Sequence, residues 1–87
     1  MSTKKKLLAK VLSGSNDGNI TFAQLVHLLE ILGWSIRQTG GSHRVASHPE
    51  AEEILNVQPK KDGKAKPYQI EQVRECIKKY NLDRYID

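Results

Sequence analysis

Trp34-Ser35-Ile36-Arg37-Gln38-Thr39-Gly40-Gly41-Ser42-His43-Arg44-Val45-Ala46-Ser47 is the stretch on which the fold turns. Its first half alternates, with Trp34 and Ile36 on one side and Ser35, Arg37 and Thr39 on the other. That is the pattern of a half-buried strand. Gly40-Gly41 predicts a two-residue primed turn, because both positions tolerate positive φ. Residues 42–47 then return as a second strand, which His48-Pro49 ends, since proline donates nothing to a ladder. In this register Thr39 faces Ser42, Gln38 faces His43, Arg37 faces Arg44 and Ile36 faces Val45. His43 takes the core-side parity at the end of the sheet.

Upstream lies the sharpest local signal. Thr21 and Gln24 have the spacing of a capping box, and Ile20 and Leu25 that of a hydrophobic staple around it. They predict a helix to about Leu32, with Phe22, Leu25, Val26, Leu29 and Leu32 on one stripe and Gly33 at its end. His27 falls off the stripe and reads as a surface histidine. Residues 1–3 read as a frayed end. Residues 4–12 predict a short helix with Leu7, Leu8, Val11 and Leu12 on one side. On its own it is marginal and has to dock or stay partly disordered. Gly14 suits its C-terminus.

Downstream, residues 50–53 form an acidic patch, and residues 54–58 predict a third strand stopped by Pro59. Residues 60–67 form a basic loop. Residues 68–80 predict the last long helix, with Ile70, Val73, Ile77 and Tyr80 at helical spacing. Residues 82–87 form a tail without assignment. The expected fold is α+β: a three-stranded antiparallel sheet with two main helices on one face, preceded by a short N-terminal helix. One domain spans residues 1–87, with its core in residues 20–80.

Composition narrows the function. Eighty-seven residues leave no room for a separate cofactor domain, and a net charge of +4 is compatible with an anionic partner. A single cysteine, Cys76, rules out an internal disulfide framework and a cysteine-rich zinc site. It reads as a structural thiol in the last helix. The three histidines, His27, His43 and His48, have no metal-ligand spacing with cysteines or carboxylates. Neither a phosphate-binding loop nor a dinucleotide fingerprint is present. No apolar run has the length of a membrane span, and no signal-peptide pattern opens the chain, so the expectation is a cytosolic protein.

The chemistry concentrates at the glycine turn. A histidine there suits phosphodiester cleavage of RNA, in which the neighbouring 2′-hydroxyl is already the nucleophile. That reaction needs a proton acceptor, a proton donor and cations for the developing charge, and it needs no metal or other cofactor. Histidine serves in either proton-transfer role near neutral pH. In the register above, Arg37 and Arg44 stand opposite one another, a repulsive pair unless an anion bridges them. A phosphate would do so through the two guanidinium forks; otherwise the arginines splay into water. A second basic group, Lys60, Lys61, Lys64 and Lys66, precedes the last helix, whose N-terminus also favours anions. Gly63 would let this loop approach a backbone closely. Such lysines would position phosphates without reading sequence, or simply form a solvated loop; no aromatic platform interleaves with them, and base stacking is not indicated beyond roles open to Trp34 or Tyr68.

Gly41-Ser42-His43 after a helix and a strand, a third strand ending at Pro59, and Lys64-Ala65-Lys66-Pro67-Tyr68-Gln69-Ile70 leading into the final helix together resemble the HicA toxin family. The resemblance covers about residues 20–80. It implies a fold like that of double-stranded-RNA-binding domains (dsRBD-like) and a metal-independent ribonuclease that cleaves mRNA, the toxin of a type II toxin–antitoxin pair. It implies a HicB-like antitoxin as protein partner. The family's catalytic histidine corresponds to His43, with Gly41 and Ser42 as the motif that positions it. Two other readings stay open: a non-catalytic RNA-binding module of the same fold, and a protein-interaction module with an acidic partner.

Overall fold

The computed structural model describes residues 3–86, and residues 1, 2 and 87 lie outside the description. The chain runs α1 (Thr3–Ser13), α2 (Phe22–Ile31), β1 (Ser35–Gly40), β2 (His43–Ser47), β3 (Leu55–Val57) and α3 (Pro67–Tyr80). Short 3₁₀ turns at Asp17–Asn19 and Leu82–Tyr85 complete it. The sheet is antiparallel throughout, in the order β1-β2-β3.

Local chemistry sets α2. The Thr21 hydroxyl accepts the Gln24 N–H at 3.0 Å, and the Gln24 side chain accepts the Thr21 N–H at 2.9 Å. Both halves of the capping box are thus made, which satisfies two helix-end donors. The staple residues Ile20 and Leu25 are fully buried. The helix buries Leu25, Leu28 and Leu29, with Leu32 at its cap, while His27 is exposed.

One face of the sheet is covered. Ala46, Leu55 and Val57 are buried and Ile36 is half-buried, whereas Ser35, Arg37, Ser47 and Asn56 on the other face are exposed. Alternation along each strand produces this split. The helices α2 and α3 pack against the sheet, and Ile70, Val73, Cys76 and Ile77 of α3 join the same core. Helix α1 docks on α2 and α3 through Leu7 and Val11. Arg74 ties it down. Its Nε donates to the Val11 carbonyl at 2.8 Å, and its Nη2 donates to both Asp17 carboxylate oxygens at 2.6 and 2.7 Å.

The hairpin register differs from the expected one. Gly40 pairs with His43, Gln38 with Arg44, Arg37 with Val45 and Ile36 with Ala46. Thr39 is an extra residue on β1, a β-bulge. The turn is Gly41-Ser42, not Gly40-Gly41, and of these two glycines only Gly41 takes positive φ, at +52°. Gln38 fastens the tip by donating from Nε2 to the Gly41 carbonyl at 2.6 Å. A one-residue slip exchanges the faces of every side chain it affects. Arg37 and Arg44 therefore lie on opposite faces of the sheet and do not form the facing pair the two-residue turn predicted. His43 takes the parity of Val45, on the uncovered face, rather than the core-side parity.

The C-terminal segment is also more ordered than its sequence suggests. Asn81 ends α3 in the left-handed conformation, with φ +53°, and its N–H reaches the Ile77 carbonyl. Leu82 is fully buried. Arg84 and Tyr85 both donate to the Glu50 carboxylate. Tyr85 also meets the edge of His48, with ring centroids 5.2 Å apart.

Candidate functional site

His43 opens β2 directly after the hairpin tip, and its side chain is exposed. No described residue hydrogen-bonds its ring. Two depressions meet at this residue. One, of about 310 Å³, is lined by Thr39, His43, Arg44, Asn56, Val57, Gln58, Tyr68 and Gln69. The other lies between the two loop tips and is lined by Gly40, Gly41, Ser42, His43, Gln58, Pro59, Lys60, Lys61 and Gly63. The imidazole is thus the boundary between a small cleft at the sheet's end and a cationic gap.

Each wall has an identifiable support. Arg44 shares the covered face with Ala46, and its guanidinium carbon stands 6.0 Å from the centroid of the Phe22 ring. A cation over an aromatic face is attracted by the ring quadrupole, so Arg44 is steered toward the start of α2. Gln69 is buried, and its Oε1 accepts the Gln58 N–H at 3.1 Å, which ties the end of β3 to α3. Its Nε2 donates to the Tyr68 hydroxyl at 3.3 Å.

The basic loop is strapped down rather than free. Lys60 N–H bonds the Lys64 carbonyl at 2.8 Å, and Gly63 N–H bonds the Lys60 carbonyl at 3.0 Å. Gly63 turns the chain with φ +84°, a conformation that favours glycine, and nothing stands within 4 Å of where a Cβ would be. Two further backbone bonds, Phe22 N–H to Gly63 O at 3.0 Å and Ala65 N–H to Ile20 O at 2.9 Å, fix the loop to the start of α2. The lysine tip and the histidine tip are therefore held by one frame.

Of the residues singled out in the sequence, the structure brings together Gly41, Ser42, His43, Arg44, Lys60 and Lys61. It does not bring the others. Arg37 lines a shallow depression on the open sheet face with Ser35, Val45, Ser47 and Ile54. Lys64 pairs through its backbone with Thr21, and Lys66 occupies the N-cap position of α3 without a side-chain capping bond. Of the two aromatics open to base stacking, Tyr68 joins the site and Trp34, buried in the core, does not. Asn56 and Gln58 join it without having been singled out, since two polar residues within and beside a three-residue strand give only a weak signal.

A groove of about 550 Å³ runs on from the first cleft through Asn56 and Tyr68 to Glu53, Cys76 and Lys79. There the Tyr80 hydroxyl, donating to Glu53 at 2.5 Å, is the main cause holding that carboxyl below its usual value, with Cys76 and Lys79 adding to it. Burial, and then the Glu53 carboxylate beside it, push the Cys76 thiol up to about 11. Glu53 is thus a fully engaged acceptor, and Cys76 is a protonated, structural thiol at neutral pH. Among the described residues no group of three or more His, Cys, Asp or Glu side chains is placed to hold a metal ion. Among them, too, no helix is long and apolar enough to cross a membrane.

What the arrangement offers is one solvent-facing proton acceptor between cations on two sides, with a polar and aromatic wall beside it. Comparisons with protein-family models, with curated proteins and with solved structures found no match.

Proposed function

We propose that this chain is a metal-independent endoribonuclease, the mRNA-cleaving toxin of a HicA-like toxin–antitoxin pair. The observation that carries the reading is the exposed imidazole of His43 at the junction of two depressions, with Arg44 in one and Lys60 and Lys61 in the other. A ribose–phosphate linkage laid across that junction has its 2′-hydroxyl beside a proton acceptor and its phosphate among cations. His43 takes the 2′-hydroxyl proton, the oxygen attacks the adjacent phosphorus, and the bond to the 5′-oxygen breaks as that oxygen takes a proton from water. The product is a 2′,3′-cyclic phosphate and a free 5′-hydroxyl strand. Arg44, Lys60 and Lys61 offset the charge that develops on the phosphoryl oxygens.

The element order α2-β1-β2-β3-α3, with both helices over one face of the sheet, supports the double-stranded-RNA-binding-domain-like fold that goes with this reading. A HicB-like antitoxin would be its protein partner, masking the site.

The test is incubation of the purified chain with single-stranded RNA in the presence of a chelator. Cleavage to cyclic-phosphate ends is expected, with His43→Ala slowing it by roughly 10²-fold or more while RNA binding persists. RNA left intact by the wild-type chain would overturn the proposal. One observation favours a second reading, a binding module without cleavage: the His43 ring lacks the orienting hydrogen-bond partner that catalytic bases commonly have. Under that reading both proteins bind RNA and neither cuts it.

A further inference from the structure

The furrow beside His43 carries information about how RNA would lie on the protein, and this inference rests on the ribonuclease reading. Tyr68 stands in the first turn of α3 and is 56% exposed, a large aromatic surface left in solvent. It lines both the cleft that holds His43 and Arg44 and the groove that continues from it along β3. Asn56 is exposed and lines the same two depressions. The cleft measures about 310 Å³, at the small end of the range for small-molecule sites. The chain's single tryptophan, by contrast, is only 4% exposed and unavailable for stacking.

An exposed aromatic ring beside a phosphate-handling residue is the usual platform for an unstacked base. Stacking on this ring requires a base with a free face, which a base inside a helix lacks because paired bases are stacked on both faces. Asn56 beside it carries an amide that both donates and accepts, the equipment for reading a base edge. We infer that the cleft is a nucleobase subsite: Tyr68 stacks the base next to the cleaved linkage, Asn56 meets its edge, and the substrate is single-stranded. Lys60 and Lys61 then hold the phosphates on the other side of His43. Tyr68 is a binding and positioning residue here and takes no part in proton transfer.

The experiment uses the full chain carrying His43→Ala, so that RNA stays intact. Its probe is a short RNA with 2-aminopurine, whose fluorescence falls on stacking, offered as a single strand and as a duplex of the same sequence. The single strand should bind with quenching and more tightly than the duplex. Tyr68→Leu should weaken single-strand binding by roughly tenfold and abolish the quenching, while Tyr68→Phe keeps both. Melting curves of the variants separate loss of the platform from loss of fold, and Tyr68→Phe retains the ring in either case. Undiminished affinity and quenching in Tyr68→Leu, or a duplex bound as tightly as the single strand, overturns the subsite and leaves the ribonuclease reading standing. Failure of the protein to retain any RNA at low salt overturns both.

Discussion

Two histidines bracket β2, and the chain treats them in opposite ways. His43 begins the strand, is exposed, and has a ring to which no described residue hydrogen-bonds. His48 follows the strand's end and is buried. Its Nε2 lies 2.9 Å from the Leu32 carbonyl, and its Nδ1 accepts the Glu50 N–H at 3.0 Å. Those two bonds select the neutral tautomer that carries its proton on Nε2. Trp34 and Tyr85 meet the ring edge to face, each with centroids 5.2 Å away. Five residues apart, one imidazole is a tie rod and the other is left with its proton chemistry available. Residue type names a capacity, and the number of partners decides whether it is spent on the fold.

The contrast breaks most easily at the rings themselves. His43→Ala should lower RNA cleavage by roughly 10²-fold or more with an unchanged urea midpoint, as gel-based cleavage and denaturation curves would show. His48→Ala should do the reverse. It strands the Leu32 carbonyl and the Glu50 N–H, at a cost of about 2–4 kcal/mol in unfolding free energy, and leaves cleavage by the still-folded fraction intact. Equal effects of the two substitutions on stability would erase the distinction.

The buried end has a second weak point. Gly33 has φ +96°, and a Cβ there would lie 2.9 Å from a Tyr85 ring carbon and 3.0 Å from His48 Nε2. Gly33→Ala should therefore cost about 1–3 kcal/mol, read in the same denaturation experiment. Gly41→Ala meets no neighbouring atom and bears only its own φ of +52°, so it should cost less. The opposite ranking would mean that the rings against Gly33 yield easily.

At the exposed end the comparison sharpens between two arginines. Arg44→Gln should reduce the slope of log affinity for RNA against log salt by about one unit. Arg37→Gln, on the other face, should leave it unchanged. A loss of slope in both variants would place RNA across both faces of the sheet.

The smallest expected effect concerns acid. The Tyr85 hydroxyl first, then Arg84, hold the Glu50 carboxyl below its usual 4.5, and Tyr80 does the same for Glu53. In the unfolded chain these carboxyls take up protons at a higher pH than in the native one. Stability from them is therefore complete above about pH 4.5 and is lost as pH falls through the lowered native values. Melting temperature should decline more gently in acid for Glu50→Gln than for the wild type.

These particulars show which parts of the molecule its sequence discloses. The start of α2 was legible because Thr21, Gln24, Ile20 and Leu25 interact within one turn. The strands, the last helix and the placing of a histidine beside a glycine turn were legible for the same reason, since periodicity and turn chemistry are local; the full exposure of that histidine was not, because it follows from the register. The hairpin register was not. Gly40 and Gly41 are both able to occupy the turn, and the bulge at Thr39 that decides between them leaves no mark of its own. The C-terminal turn was equally hidden, because Arg84 and Tyr85 are fixed by Glu50, far back in the chain. In the candidate site, Lys60 and Lys61 separate from Lys64 and Lys66 only once the loop's backbone bonds to residues 20 and 22 are known.

Trp34 packs in the core with its ring in a T-shaped contact with that of His48, and no other indole exists in the chain. Emission excited from the indole alone, at wavelengths its tyrosines do not absorb, consequently comes from the tie-rod end. It is a built-in lamp for unfolding that stays dark to whatever touches the opposite rim. Any brightening or dimming when RNA is added would signal mechanical communication through the sheet, not contact with the indole.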